Sequence, residues 1–365
     1  MRLVLALCLM LPLVASAQDE PDRVPVRVGV VGLVHTHVHW ILGRPDRGDI
    51  EIVGIVEPNR DLAERYSEQH GYSMDLVFDT LEEMLDATQP EAVTVFTTIR
   101  DHRRVTEVAA ARGVHVMVEK PMALDVADAR AMAAATEAAG VYLLTNYETT
   151  WYASVHETQR RIEAGEVGEI RKVVIHDGHA GPVAIGINEE FLEWLIDPEE
   201  NGGGAITDFG CYGANLMTWL MDGERPQTVT AVTQQIQPDL YPLVDDEATI
   251  LLAYPQAQAV IQASWNWPFS RKDLEVYGQT GLLLADDAST LRVRLDEEDP
   301  ETRLTLPSRE APLDDPFAYL AAVIRGEVDP AGSLSSLEVN LTVMEILDAA
   351  RVSAREGRTV RLGRE

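Results

Sequence analysis

The sequence is poor in cysteine and in long apolar runs. It has two cysteines in 365 residues, Cys8 and Cys211, and Cys8 lies in an apolar N-terminal segment. Loss of that segment would leave one cysteine, which excludes a disulfide within the mature chain. The apolar run itself covers only residues 3–15 and is too short to span a membrane.

Positive charge, and lysine in particular, is also scarce. The chain has 60 acidic residues against 30 basic ones, a formal net charge of −30, and its only lysines are Lys120, Lys172 and Lys272. Such a surface repels nucleic acids and anionic membranes, so neither is expected as a partner. The apolar content of 46% indicates a folded globular protein, and the length suggests about two domains.

The N-terminal segment has the parts of a signal peptide in the right order. Arg2 is a short positive region, residues 3–15 are apolar, and Ala15-Ser16-Ala17 forms a small-residue cleavage site. We therefore expect residues 1–17 to be a signal peptide and the protein to be exported by a Sec-type route, to the periplasm or outside the cell. The alternative is a buried N-terminal strand.

Residues 24–148 alternate between strand patterns and helix patterns. Strands are predicted at 25–32, 50–58, 92–98, 114–121 and 141–148, and helices from about 36 and at 60–71, 81–88, 102–113 and 125–140. This alternation predicts a doubly wound parallel sheet in an N-terminal α/β domain.

The pattern changes within a predicted second domain, residues 149–365. After a helix at 154–165, strands are predicted at 171–178, 227–237, 247–254, 258–266, 273–278, 281–285 and 302–306. Turn signals between them predict a C-terminal α/β domain with an open, mostly antiparallel sheet. Residues 201–221 form a glycine-rich entry to a helix, and a last helix at 335–356 could pack back on the N-terminal domain.

The turn after the first strand carries only part of a dinucleotide fingerprint. Gly29 and Gly32 lie where a Rossmann βα turn requires glycine, but Val34 and His37 stand where two further glycines are due. Glu57 ends the second strand, where a carboxylate binds the ribose diol and disfavours a 2′-phosphate. NAD is therefore expected rather than NADP, although Arg60 weakens that preference and leaves NADP as an alternative.

Three histidines in this turn, His35, His37 and His39, have three interpretations. With Thr36, the first two could donate hydrogen bonds to the cofactor pyrophosphate in place of the lost backbone contacts. All three could instead bind a metal, which is the weaker alternative because the spacing is no specific zinc signature. They could also line the cleft as polar residues without either role.

Two motifs farther along the chain carry a family resemblance. Residues 118–124, VEKPMAL, and 202–215, GGGAITDFGCYGAN, resemble the motifs of the Gfo/Idh/MocA oxidoreductases, the glucose–fructose oxidoreductase and inositol dehydrogenase family. Residues 97–102 and 264–281 extend the resemblance over nearly the whole mature chain. It implies a Rossmann domain, a second domain whose sheet forms a dimer or tetramer interface, and NAD(P)-dependent oxidation or reduction of a sugar, cyclitol or related carbinol. It also implies cofactor contacts from Thr97, His102 and Glu119.

The resemblance assigns the catalytic roles to Lys120, Asp208 and Tyr212. Oxidation of a carbinol needs a base for the hydroxyl proton, and the reverse reaction needs an acid. A nearby Lys120 ammonium is expected to lower the pKa of Tyr212 and to stabilise alkoxide character on the substrate. Asp208 could orient Lys120 or bind a sugar hydroxyl.

Further residues are candidates for the substrate wall. Carbohydrates bind through aromatic faces and directed hydrogen bonds, and such groups recur near the predicted domain junction and strand ends. The candidates are Glu148, Trp151, His176, His179, Asn215 and Trp267.

Export creates a difficulty for an NAD enzyme, because no pool of free NAD is expected outside the cytoplasm. We therefore expect an oxidoreductase that holds its cofactor tightly and acts on a CH–OH group of a sugar, glycoside or cyclitol. One alternative is a glycoside lyase, hydrolase or epimerase that uses retained NAD or a histidine-bound metal. A non-catalytic carbohydrate-binding protein is a third, disfavoured by Lys120, Asp208 and Tyr212.

Overall fold

A computed structural model describes residues 24–298 and 300–363. The predicted signal peptide, residues 1–17, lies outside the described residues and stays a prediction. The chain forms a six-stranded sheet followed by a nine-stranded one. Among the described residues, no helix is both long and apolar enough to cross a membrane.

The first sheet is parallel throughout, as the alternating pattern predicts, and its strand order is β3-β2-β1-β4-β5-β6. Its strands are β1 (Val26–Val31), β2 (Ile50–Val56), β3 (Val77–Phe78), β4 (Ala92–Val95), β5 (His115–Glu119) and β6 (Leu143–Asn146). The order reverses beside β1, so the crevice at the carboxyl ends of β1 and β4 is the place where such sheets bind ligands.

Five helices accompany these strands. They are α1 (Val38–Leu42), α2 (Arg60–His70), α3 (Leu81–Thr88), α4 (His102–Ala110) and α5 (Val126–Ala139). Asn59, Thr80 and Asp125 begin α2, α3 and α5 with side-chain caps that accept a backbone N–H. The first helix starts at Val38 rather than at the predicted position near 36 and has only five residues, so the histidine run is mostly turn.

The second sheet is antiparallel except for one parallel pair, β7 with β10. Its strands are β7 (Ile170–Gly178), β8 (Thr228–Gln234), β9 (Glu247–Ala253), β10 (Gln258–Ser264), β11 (Arg271–Gly278), β12 (Leu282–Ala285), β13 (Thr290–Arg294), β14 (Thr302–Thr305) and β15 (Val360–Arg361). Strands β3, β13 and β15 were not predicted, and β3 and β15 have only two residues each, too few to show a periodicity.

The remaining helices join the two sheets. They are α6 (Ala153–Glu163), α7 (Pro182–Ile185), α8 (Glu189–Leu195), α9 (Pro198–Asn201), α10 (Ala205–Asp208), α11 (Gly210–Leu220), α12 (Pro316–Ile324) and α13 (Leu337–Glu356). Arg130 of α5 forms an ion pair with Glu345 of α13 at 3.0 Å, so the last helix does contact the first domain. Helix α12 also packs there, with Leu320 against Met117 and Leu144, although the predicted boundary places it in the second domain.

Candidate active site

The turn after β1 retains the glycine that the close approach of two strands requires. Gly32 has a φ of +80°, and a Cβ at this position would lie 2.7 Å from Thr97 Cγ2 and 2.9 Å from the Thr97 backbone nitrogen. Gly29 fits in the same way, because a Cβ there would lie 2.5 Å from the Met84 methyl carbon. Gly32 therefore needs glycine because of its φ and its backbone contacts, whereas the clash at Gly29 is with the end of a flexible side chain. The turn at Gly32 fits a dinucleotide site.

Glu57 is held in the orientation that a ribose contact needs. The buried carboxylate accepts hydrogen bonds from the backbone nitrogens of Leu33 at 3.0 Å and Asn59 at 2.9 Å. Burial raises the pKa of Glu57, and the two amide donors oppose that rise. Arg60 is exposed and pairs over 4.0 Å with Glu64, so it brings no charge to this carboxylate.

His35 and Thr36 have buried polar atoms that no described residue satisfies. The His37 backbone N–H donates to His35 Nδ1 at 3.1 Å, so the proton of the neutral ring lies on Nε2. This Nε2 and the hydroxyls of Thr36 and Thr98 are buried without a hydrogen-bond partner in the described chain. Three orphan donors at the ends of β1 and β4 fit the oxygens of a pyrophosphate. The residues present therefore fit NAD, with side chains in place of two fingerprint glycines.

The three histidines do not stay together. His37 Nδ1 lies 2.9 Å from Glu119 Oε2, whereas His39 Nδ1 lies 2.8 Å from His70 Nε2. The predicted set of three metal ligands is therefore not assembled. Ligand atoms of His35, His37 and Glu119 do lie within 4.8 Å of one another, but His35 Nδ1 and His37 Nδ1 are already used in hydrogen bonds.

Lys120 and Asp208 form a buried ion pair where the two domains meet. Lys120 Nζ lies 2.5 Å from Asp208 Oδ1, and the Trp265 indole N–H donates to the other carboxylate oxygen at 3.0 Å. Burial alone would raise the pKa of Asp208, but the Lys120 ammonium outweighs it and holds that pKa below its usual range. Both partners are thus charged, and the contact with Asp208 orients the ammonium.

The glycine-rich segment at residues 201–221 positions Asp208 of this ion pair. Asp245 accepts backbone N–H bonds from Gly204 at 2.9 Å and Ile206 at 2.7 Å. A Cβ on Gly204 would lie 1.7 Å from the Asp245 carbonyl oxygen, and one on Gly213 would lie 2.4 Å from Ile261 Cγ2. These contacts fix α10 and α11 against β9 and β10, so Asp208 and Tyr212 project to the domain junction.

Tyr212 lies between two of the three lysines of the chain. Lys120 Nζ is 5.3 Å and Lys272 Nζ is 4.6 Å from the centre of its ring. The expectation that Lys120 lowers the pKa of Tyr212 is wrong: burial, with the nearby Glu148 and Asp177 carboxylates, raises that pKa well above its usual value. The tyrosine therefore keeps its proton at neutral pH.

A cavity of about 580 Å³ is lined by Lys272 but not by Lys120, Asp208 or Tyr212, and its wall comes from residues 148–292. Glu148, joined to Lys272 by an ion pair, lines it together with His179. Its lining carries five acidic side chains (Glu148, Asp273, Glu275, Asp286 and Asp287) and three basic ones (Arg271, Lys272 and Arg292). The excess of carboxylates favours a ligand without negative charge.

A segment of the second domain covers the turn after β1. The His35 ring lies 4.6 Å from the Phe191 ring and 5.8 Å from the Trp194 ring. Glu190 Oε1 pairs with Arg65 at 2.8 Å, and Arg100 bonds the Glu199 carbonyl oxygen at 2.9 Å. Helices α8 and α9 are thus fastened over the crevice where the cofactor would lie.

Four other predicted residues form hydrogen bonds within the chain, although His102 keeps a buried Nε2 without a partner among the described residues. Asn215 Nδ2 donates to the Leu334 carbonyl oxygen at 2.8 Å, which ties α11 to the segment before α13 rather than to the cavity. Trp151 donates to Asn146 at 3.0 Å and packs on Tyr319. His102 is buried with Nδ1 3.1 Å from the Met122 carbonyl oxygen. The Thr97 hydroxyl donates to the Thr98 carbonyl oxygen at 3.0 Å.

The two remaining predicted residues sit at the edge of the cavity. His176 Nδ1 lies 2.9 Å from Asp273, a cavity-lining residue. Trp267 lies 6.2 Å from the His176 ring and 5.9 Å from the Arg271 guanidinium carbon. Trp265 lies beyond the end of β10 and is fully buried against Asp208.

Sequence reasoning missed Lys272 and Asp177. Lysine scarcity could have flagged Lys272, because a chain that uses arginine almost everywhere keeps two of its three lysines beside Tyr212. Asp177 gave no such signal. Burial raises its pKa well above the usual value, and its Oδ1 has no hydrogen-bond partner among residues 24–298 and 300–363.

Comparison with known proteins gives matches over both parts of the chain. A model described as an oxidoreductase family with an NAD-binding Rossmann fold matches residues 26–147, and one described as a GFO/IDH/MocA C-terminal domain matches residues 155–284. A 1,5-anhydro-D-fructose reductase from Ensifer adhaerens is 25% identical over 285 residues, 77% of this chain and 83% of the relative. A D-apiose dehydrogenase from Paraburkholderia graminis is 26% identical over 338 residues, 86% of this chain and 83% of the relative.

A solved structure matches over a similar range. The aldose-aldose oxidoreductase from Caulobacter crescentus, determined in complex with glycerol, superposes with a TM-score of 0.77 at 26% sequence identity. The match covers 93% of this chain and all of that one. Both domains and their arrangement are therefore shared with an enzyme of known structure.

Proposed function

This chain belongs to the Gfo/Idh/MocA oxidoreductases, and we propose that it transfers hydride between NAD and a CH–OH carbon of a neutral sugar, glycoside or cyclitol. The observation that carries the proposal is the buried group of Lys120, Asp208 and Tyr212, with Lys272 beside Tyr212 and in the wall of a polar cavity. The relatives that reduce or oxidise sugars support the substrate class.

The protonation of the site suits the reduction of a carbonyl. NAD, when bound at the β1 turn, supplies or accepts the hydride. Tyr212 keeps its proton because burial raises its pKa, so it can donate a hydrogen bond or a proton to a substrate carbonyl oxygen. The Lys120 ammonium, held by Asp208, stabilises negative charge on that oxygen. The oxidative direction needs an unprotonated acceptor for the hydroxyl proton, and the raised pKa values of Tyr212 and Lys120 disfavour that state of both groups.

Two features support a tightly held cofactor. Glu57 favours NAD by repelling a 2′-phosphate, and α8 with α9 is fastened over the turn by the Arg65–Glu190 and Arg100–Glu199 contacts. Release of a dinucleotide from under this cover requires those contacts to break. Retention would let the protein work where free NAD is absent, as export directed by residues 1–17 would require.

We further propose a homo-oligomer formed through the second sheet. Alternate residues of β9 are exposed, and the sheet presents the apolar side chains of Val232, Leu251 and Tyr277 to solvent. An apolar sheet face of this kind is typical of an interface. Light scattering of the Val232→Asp variant tests it: dissociation supports the interface, and an unchanged mass contradicts it.

The decisive experiment measures NAD release and substrate turnover on the same protein preparation. We expect protein purified from an exporting host to release about one NAD per chain on denaturation, and to form NADH when neutral sugars and cyclitols are added. Lys120→Met should bind NAD but not reduce it. Absence of NAD together with stoichiometric zinc contradicts the proposal and favours a metal-dependent reaction. If neither NAD nor zinc is present and Lys120→Met binds sugar as well as the wild type does, the protein is a carbohydrate-binding protein.

A further inference from the structure

His37 has the contacts of an oriented base. Its Nδ1 lies 2.9 Å from Glu119 Oε2, while Asn146 Nδ2 donates to Glu119 Oε1 at 2.7 Å. The carboxylate thus accepts through both oxygens, which assigns the ring proton of His37 to Nδ1 and leaves a lone pair on Nε2. This is the arrangement in which a carboxylate fixes the tautomer of a histidine that acts through its other nitrogen.

The ring is also held on its faces. It stacks on Trp40 with ring centres 3.7 Å apart and planes at 14°, and the edge of His35 meets it at 4.6 Å. The side chain keeps 17% of its surface exposed, and its Nε2 has no hydrogen-bond partner among the described residues. A fixed ring with one free nitrogen is preorganised to receive a proton.

The surroundings place this nitrogen in the site of the proposed hydride transfer. His37 contacts Glu119, the residue before Lys120 in the sequence. The charges that act on His37 include those of Lys272 and Glu148, which line the cavity. Tyr212 comes from the second domain, whereas His37 and Glu119 come from the first. A substrate between the domains would therefore have an acid–base group on each side.

We propose that His37, oriented by Glu119, is a second acid–base residue that removes and returns a proton at the carbon next to the substrate carbonyl. The proposal rests on the proposed function, because hydride transfer creates that carbonyl. It adds an activity: exchange of the α-hydrogen, which permits epimerisation or elimination without net oxidation.

The step balances without a further reagent. The α C–H bond breaks, the proton goes to His37 Nε2, and the electron pair forms the enolate. Lys120 and Tyr212 stabilise the enolate oxygen by charge and hydrogen bonding. The proton then returns to the same carbon, or the electron pair expels a glycosidic oxygen on the adjacent carbon, which takes up the proton as an alcohol.

His37 and Tyr212 have different roles because their protonation states differ. Burial lowers the pKa of His37 well below its usual value, and the Lys120 and Lys272 ammonium groups act in the same direction. His37 is therefore an unprotonated base at neutral pH, whereas Tyr212 is a protonated acid. Glu119 is a positioning residue, since its carboxylate contacts the far nitrogen of the ring.

The test uses a ketone directly. The NAD⁺-loaded protein is incubated in D₂O with 1,5-anhydro-D-fructose as the probe, and loss of the α-hydrogen signals is followed by proton NMR. NADH oxidation with the same ketone measures hydride transfer separately. We expect His37→Gln to slow exchange about 100-fold or more and hydride transfer by less than about tenfold. His39→Gln, a change of the same type in the same turn, should retain both.

A double-mutant cycle identifies the role of Glu119. In Glu119→Gln the side-chain amide can donate to Nδ1 and shift the ring proton to Nε2, so exchange should fall about as far as in His37→Gln. The double variant should then show little further loss. Additive losses contradict the dyad.

Other outcomes overturn the proposal while leaving the proposed function intact. One is hydride transfer without α-hydrogen exchange faster than the uncatalysed rate in solvent. Another is an equal exchange rate in wild type and His37→Gln. The third is an exchange rate that rises with the zinc content of the protein and falls to zero with a chelator. Absence of hydride transfer with every sugar instead contradicts the proposed function.

Discussion

Asp208 accepts hydrogen bonds from Lys120 through one carboxylate oxygen and from Trp265 through the other. The same aspartate therefore orients the lysine and ties it to the strand end of the second sheet. Because the pair is buried, each charge depends on the other for its stability.

We expect Asp208→Asn to destabilise the fold by about 3–5 kcal/mol at pH 7, since it leaves the Lys120 charge buried without its partner. The folded pKa of Asp208 is held below its unfolded value, so its stabilisation is present above about pH 4 and is lost as the pH falls through the folded pKa. Denaturant unfolding at several pH values should show that the difference in free energy of unfolding between wild type and variant becomes smaller below pH 4. A gap that widens there contradicts the assignment.

Tyr212→Phe removes the proposed proton donor and little volume. We expect hydride transfer to fall about 10²–10⁴-fold with NAD binding retained. Because burial raises the pKa of Tyr212, the wild-type rate of ketone reduction should show no loss attributable to this residue between pH 7 and 9. The measurement is NADH oxidation across that range. Full activity of the variant rules out Tyr212 as the donor.

Glu57→Gln tests the ribose contact. Replacing a buried carboxylate by an amide should weaken NAD binding about tenfold or more, since a charged acceptor is lost, and should improve NADP relative to NAD. Arg60→Gln is the matched control, because Arg60 is exposed and pairs only with Glu64 in the described chain. Calorimetric binding of both dinucleotides to apoprotein gives the comparison. Equal effects of the two substitutions argue against a role for Glu57.

Glu190→Gln tests the cover over the cofactor crevice. The change weakens the bonds to Arg65 and Tyr66, so bound NAD should dissociate several-fold faster. Glu193→Gln, on the exposed face of the same helix, should leave the rate unchanged. Dissociation is followed by fluorescence after dilution into competitor. Identical rates in all three proteins show that α8 does not limit release.

Gly32→Ala should cost more stability than Gly71→Ala. Both glycines have a φ near +80°, at +80° and +79°, but a Cβ at Gly32 would meet Thr97 at 2.7 Å whereas Gly71 has open space around it. Backbone strain alone costs about 1–3 kcal/mol, and the clash adds to it at Gly32. Thermal unfolding of the two variants gives the difference. Equal costs imply that the β1 turn relaxes around the added carbon.

The sequence by itself determined the class of the fold and the identity of the central residues. Apolar strand patterns alternating with helices predicted the parallel sheet. Strands that are buried on both faces appear as short apolar runs, which can be recognised from neighbouring residues alone. Lys120, Asp208 and Tyr212 were identified from short motifs, and the structure brings all three together. Glu57 was predicted from its place at the end of β2 and lies there, buried.

Only the tertiary structure decided the partners and the protonation of these groups. His37 and Glu119 are 82 residues apart in sequence, and Lys120 and Asp208 are 88 apart, so no local pattern reveals their contact. The pKa of Tyr212 rises rather than falls because burial dominates and nearby carboxylates add to the rise, and burial depends on the whole packed core. The separation of His39 from His37 likewise depends on a bond to His70 of a different helix.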